Sequence, residues 1–198
     1  MKANLVLLLA MLPWFADATI DLTPRYIDTY NDGIVFQRLY FTDGEKKFTV
    51  RSNRETVVTG ESGGAMFRFT KLPNSSFQIL RSRLTPEQLF SGTALEQYRE
   101  AAKRLLPVLA KASSIREETV DPLPINNWKG YRLILSCDLN GKTYLQSVTF
   151  LNLTPTDQVV LVTTAPEATF QEAADRSFQI IRTWQELLPG DERPAPYN

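Results

Sequence analysis

The chain has 198 residues, 43% hydrophobic and 22% charged, with 22 acidic and 22 basic residues, one cysteine and no histidine. That composition suits a folded chain with surface for one core, and its balanced charge gives no overall field to draw nucleic acid or an anionic membrane. Without histidine, Ser-His and Cys-His pairs within the chain are excluded; with a single cysteine, so are an internal disulfide and the usual zinc and transition-metal ligand sets.

The opening "MKANLVLLLAMLPWFADA" reads as a secretory signal peptide. Lys2 supplies the positive start, Asn4 to Phe15 the apolar run, and Ala16-Asp17-Ala18 the small-x-small site, with cleavage after Ala18. The run is short for a bilayer and Pro13 interrupts it, so no membrane span is expected after cleavage. Residues 19–188 are expected to form one domain, exported to the periplasm or beyond, and 189–198 a flexible Pro-rich tail.

Strand signals come first. Asp43-Gly44 reads as a hairpin turn pairing Leu39 with Phe48 and Gln37 with Val50. Two more short strands surround the Gly-rich "GESGGA", which lacks the lysine and spacing of a phosphate-binding loop, and "FQILRSRL" follows. Thr85-Pro86-Glu87-Gln88 and Thr93-Ala94-Leu95-Glu96 both carry helix-start signals. Leu95, Tyr98, Ala102, Leu105 and Leu109 give one apolar helical face, which Pro107 ends or kinks. "ASSIREETVDPLPINN" starts as a strand or linker and ends as a loop.

The last third predicts three successive strands, "GYRLILSCDLNG", "KTYLQSVTFLNL" and "DQVVLVTTA", and then a helix over "TFQEAADRSFQIIRTWQELL". Thr169 and Glu172 form its capping box. Phe170, Ala174, Ser177, Ile181, Trp184 and Leu188 form its inward stripe, widened by Ala173, Phe178 and Ile180.

Asn140-Gly141 predicts a type I′ turn, which sets Cys137 against Tyr144, Leu135 against Gln146, Leu133 against Val148 and Tyr131 against Phe150. A one-residue slip would mix the apolar and polar faces. Cys137 therefore belongs to the apolar face, where a thiol acts as a small hydrophobe and is not activated.

The remaining candidates concern binding. Arg51, Arg54 and Arg68, with Arg81 and Arg83, either form an anion patch or are outward positions of a sheet. Trp128, at a strand entrance, is either a partner anchor or folded back on the core. Glu117, Glu118 and Asp121 lie close in sequence without a calcium-loop pattern and read as a solvated segment. Asn74-Ser75-Ser76 and Asn152-Leu153-Thr154 match glycosylation sequons.

The run from Gly130 to Trp184, a meander closed by a helix with Phe170, Phe178 and Ile181 at its apolar positions, resembles the C-terminal half of the Mog/PsbP/DcrB-like superfamily. "KKFTVRSNRETVVTGESGGAMFRF" is similar to that group's opening strand and glycine bend, although "VRSNRET" lacks the usual Pro-x-x-Trp-like bend. The likeness covers about residues 33–187. It implies an α+β fold, a three-layer αβα sandwich around an antiparallel β-sheet, and a non-enzymatic role with a protein partner at the cell envelope and no cofactor. A small-molecule or lipid carrier, with its ligand between sheet and helix, is the second expectation, and a carboxylate-based hydrolase the third.

Overall fold

The computed structural model describes residues 20–31, 34–52, 55–87, 90–123 and 127–188; the signal peptide and tail expected at 1–18 and 189–198 lie outside these. The fold is α+β, with antiparallel strands and two helices. The strands form two sheets. In the larger, β4 (Thr56–Glu61), β5 (Gly64–Phe69), β6 (Ser76–Arg81), β10 (Gln158–Pro166), β9 (Lys142–Asn152), β8 (Gly130–Leu139) and β7 (Lys111–Val120) lie in that order. In the smaller, the order is β1 (Asp21–Asn31), β2 (Ile34–Asp43), β3 (Lys46–Val50) and β11 (Gln185–Glu186). The sequence expects a single antiparallel sheet; the structure splits the strands because β1–β3 pack their apolar side onto the larger sheet and join no edge of it.

Two hairpins show what sets register. At β8–β9 the observed pairs are Cys137 with Tyr144, Leu135 with Gln146, Leu133 with Val148 and Tyr131 with Phe150. Asn140 and Gly141 have φ of 54° and 77°, as a type I′ turn requires. The β2–β3 hairpin corrects the expected register: Phe41 faces Phe48 and Leu39 faces Val50. The loop is Gly44-Glu45, with Gly44 at φ 57°. A shift of two residues leaves every side chain on its own face, so alternation alone does not reveal it; a glycine with positive φ in first loop position does.

β10 explains its own sequence. It lies between β6 and β9 and is covered on both faces, so it reads as a continuous apolar run. Val159 and Leu161 join one core cluster with Phe41, Phe67, Phe77, Phe170 and Trp184. Val160 and Val162 join the other, with Phe90, Tyr98, Tyr131 and Phe150. The first cluster lies under helix α2 (Phe170–Ile181) and the small sheet, the second under helix α1 (Ala94–Arg104).

Both helices are shorter than expected. Residues 85–87 are not helical. Their carbonyls serve tertiary bonds: Tyr98 Oη donates to the Thr85 carbonyl and Asn152 Nδ2 to that of Glu87, at 3.1 and 2.8 Å. α1 buries Tyr98 and Ala102, but Leu109, beyond Pro107, is 70% exposed. Neither capping box forms; Glu96 pairs with Arg99 and Glu172 with Arg176. α2 buries Phe170, Ala173, Ser177, Ile180 and Ile181, while Phe178 and Leu188 are exposed and leave the expected stripe. The helix stops at Ile181 because tertiary contacts win there. Thr183 Oγ1 donates to the Ile180 carbonyl, Trp184 turns into the core against Phe41 and Phe48, and Gln185 and Glu186 pair with β3.

Candidate functional site

Cys137 is buried on the apolar face of β8, and burial, with the Asp138 charge adding, pushes its thiol up. It is the inert sulfur the hairpin predicts. The carboxylates of β7 and its exit go to separate cations. Glu117 pairs with Arg132 and Asp121 with Lys129, at 2.6 and 2.8 Å. Glu118 receives the Arg99 fork at 2.9 and 2.7 Å and the Tyr131 hydroxyl at 2.6 Å. Glu118 and Asp121 are both held below the usual carboxylate range, first by Arg99 and Lys129 respectively. Among the described residues no group of three His, Cys, Asp or Glu side chains is placed to hold a metal ion.

The site is built where the small sheet meets the end of β9. Trp128 packs half-buried against the first core cluster, at the rim of a hollow of about 190 Å³. Phe48 and Trp184 complete the aromatic lining, and Ile20 and Leu153 add aliphatic surface. The Phe48 and Trp184 rings stack with centroids 5.7 Å apart, which fixes that side rigidly. The charged lining is acidic, Asp43, Asp157 and Glu186, and Thr154 and Gln185 are its neutral polar groups.

Each carboxylate is positioned by local structure. Asp43 ends β2, immediately before the Gly44-Glu45 turn, and its Oδ1 is buried without a hydrogen-bond partner among the described residues. Burial raises its pKa above the usual carboxylate value, and the charge of Asp157 raises it further, against the pull of Lys46. Asp157 closes the turn after β9. Its carboxylate accepts from Thr154 and Thr156 at 2.5 and 3.1 Å, and its backbone N–H donates to Thr154 Oγ1. Glu186, on β11, lies 3.9 Å from Lys46 Nζ. Aromatic walls with desolvated negative charge suit a compact cationic group.

The structure separates the arginines named from the sequence. Arg51 is exposed, and its backbone N–H donates to Thr183 Oγ1, next to Trp184. Arg54 lies outside the described residues. Arg68 is exposed on β5, on the face turned away from Phe67 and the first cluster. Arg81 and Arg83 instead stand with Arg104 at a second cavity, of about 600 Å³, between α1 and the sheet, with Leu80, Leu84, Leu105 and Val160 among its apolar lining. Of the hollow's residues the sequence singled out Trp128 for binding. It reads Asp43 as a turn residue, Trp184 as part of a helical stripe and Asp157 as the start of a strand. The one usable sign was the threonine-rich "TPTD", a turn that orients its own carboxylate.

No family model and no curated protein matches the sequence. Solved structures are similar at low identity. Against the Ran-binding protein Mog1p of Saccharomyces cerevisiae the identity is 11% and the TM-score 0.46, covering 83% of this chain and 95% of that one. Against cyanobacterial PsbP (CyanoP) of Synechocystis sp. PCC 6803 the figures are 10%, 0.42, 89% and 98%. A crystal structure from Bacteroides thetaiotaomicron is 14% identical with a TM-score of 0.44; it covers 72% of this chain, and the chain spans 46% of its length. Mog1p and CyanoP are structures of the Mog/PsbP/DcrB-like group, the group the sequence resembles.

Proposed function

We propose that the protein is an exported, non-enzymatic binding module, a three-layer αβα domain over residues 19–188, that docks a partner protein by taking one of its side chains into the Trp128–Trp184 hollow. The observation that carries this is the half-buried Trp128 beside a rigid aromatic pair, with a buried Asp43 oxygen that has no hydrogen-bond partner among the described residues. Large aromatic side chains around a small pocket are the usual anchors of protein interfaces. At about 190 Å³ the hollow suits one side chain, whereas substrate pockets generally run from about 300 to 1,000 Å³. That size supports docking over a hydrolase built on Asp43 and Asp157. Arg51, bonded through its backbone to the loop that carries Trp184, is proposed as a second contact of the same surface and Arg54 as a further one; Arg68, on the opposite face of β5, is proposed only as a separate contact.

A photo-reactive residue at position 128 should cross-link one envelope protein in fixed stoichiometry. The purified partner should then bind the wild-type chain at least about tenfold more tightly than Trp128→Ala, as expected for an aromatic anchor. Equal affinity for both proteins overturns the reading. The cavity under α1, with basic Arg81, Arg83 and Arg104 against apolar Leu80, Leu84 and Leu105, supports the second reading, a carrier of an anionic amphiphile. A native mass spectrum of the purified protein that retains such a molecule would favour it.

A further inference from the structure

The lining of the hollow specifies the chemistry of its occupant. Phe48, Trp128 and Trp184 supply aromatic surface, and Asp43, Asp157 and Glu186 supply negative charge. The charged groups on Asp43 from the elements around it are Asp157, which raises its pKa, and Lys46, which lowers it. Lys46 is drawn outward: its side chain is 62% exposed and its ammonium lies 3.9 Å from Glu186. Lys46 is thus drawn between Asp43 and Glu186, and the buried Asp43 Oδ1 has no hydrogen-bond partner among the described residues. A buried carboxylate oxygen left so is costly unless a cation or donor completes it. Aromatic rings beside a carboxylate form the arrangement that recognises alkylammonium groups, since ring face and carboxylate both attract positive charge.

We propose that the hollow is a site for an alkylammonium group, with Phe48, Trp128 and Trp184 as its walls and Asp43 and Asp157 as its counter-ions. This rests on the reading of the hollow as a binding site and adds the identity of the group it takes. Two sources offer that chemistry: a lysine side chain of a partner, and a free quaternary amine. A neutral group of the same shape fills the same space but leaves Asp43 unpaired, so the site discriminates by charge.

The test uses the mature chain labelled with ¹⁵N, whose indole signals are assigned by Trp→Phe variants, and four probes. These are choline, its neutral isostere 3,3-dimethylbutan-1-ol, N-acetyl-lysine amide and N-acetyl-norleucine amide. A cation should shift the Trp128 and Trp184 indole signals with saturation, and each neutral probe should bind at least about tenfold more weakly, the weight of one charge-assisted contact. Asp43→Asn should weaken the cation by about the same factor while the near-ultraviolet circular dichroism stays unchanged. Affinity for the cation should fall as pH is lowered through the titration of Asp43, and that dependence should be weaker in Asp43→Asn, where Asp157 is the remaining counter-ion. Binding of the lysine model alone assigns the group to a partner protein; binding of choline alone assigns it to a free amine. Equal binding of charged and neutral probes, or no shift at Trp128 with either cation at 100 mM, overturns the proposal. Loss of partner binding in Trp128→Ala together with indifference to both cations would leave the docking reading standing and remove this one. Cation binding with a partner indifferent to Trp128→Ala would do the reverse.

Discussion

Asp43 shows how one side chain carries both a cost and a use. Its pKa is raised, so the folded chain holds that proton more tightly than the unfolded one, and the ionised form subtracts from stability. The sign gives a window. The cost is absent below the ordinary carboxylate value of 3.8 and complete above the raised folded value. Asp43→Asn should therefore raise the melting temperature at pH 7. The difference should close near pH 3, and scanning calorimetry at the two pH values checks it. A carboxylate that lowers stability in the lining of an aromatic hollow fits the proposed binding role, because an amide would fold more easily. None of this was legible beside Gly44 in the sequence, where an aspartate is ordinary turn chemistry. Its burial depends on Trp128, Leu153 and Trp184 arriving from distant parts of the chain.

Between elements, α1 is held to the sheet by more than its apolar face. The Arg99 fork on Glu118, with the Tyr131 hydroxyl on the same carboxylate, joins the helix to β7 and β8. Glu118 is held below its ordinary value of 4.5. Its contribution is therefore present above that value and lost as pH falls through the folded one. Glu118→Gln should lower the melting temperature at pH 7 by a few degrees, and the difference should shrink as pH falls through the folded value. A loss that stays equal as pH falls would show that packing and not charge is responsible. At this scale the sequence was readable where signals are local. The Asn140-Gly141 turn and the alternation on both sides of it set β8 and β9 residue for residue. It was unreadable where tertiary bonds override propensity. Thr85-Pro86-Glu87 has the marks of a helix start, but the carbonyls of Thr85 and Glu87 are claimed by Tyr98 and Asn152. The run after Ile181 has no glycine or proline to mark the break, which comes from Trp184 finding Phe41 and Phe48.

In the molecule as a whole, the larger sheet carries one apolar cluster on each face and β10 belongs to both. Cys137 sits on β8 between β7 and β9, 2% exposed, with no local route to solvent through a free edge. Its labelling by a thiol reagent in native buffer should consequently report global unfolding, with a denaturant dependence equal to that of the melting transition. Labelling within seconds in native buffer would mean that β7 or the end of the β8–β9 hairpin frays independently of the rest of the sheet. The division into two sheets was the architectural feature the sequence concealed. β1 to β3 carry the same alternating pattern whether they extend a sheet or cover one.

Asn152, whose side chain ties the segment before α1 to the end of β9, has a consequence for how the protein is made. Its amide nitrogen is spent on the Glu87 carbonyl and its oxygen receives Gln158 Nε2 at 2.8 Å, and the residue is 6% exposed. The motif it begins, Asn152-Leu153-Thr154, is one that a eukaryotic secretory host would try to decorate before the strand has formed. A sugar at that nitrogen would take away the bond to Glu87 and has no path out of the folded chain. Material made in such a host would divide into a bare form that folds and a decorated form that does not, whereas Asn74, on an exposed turn with φ 62°, could carry the same sugar without harm.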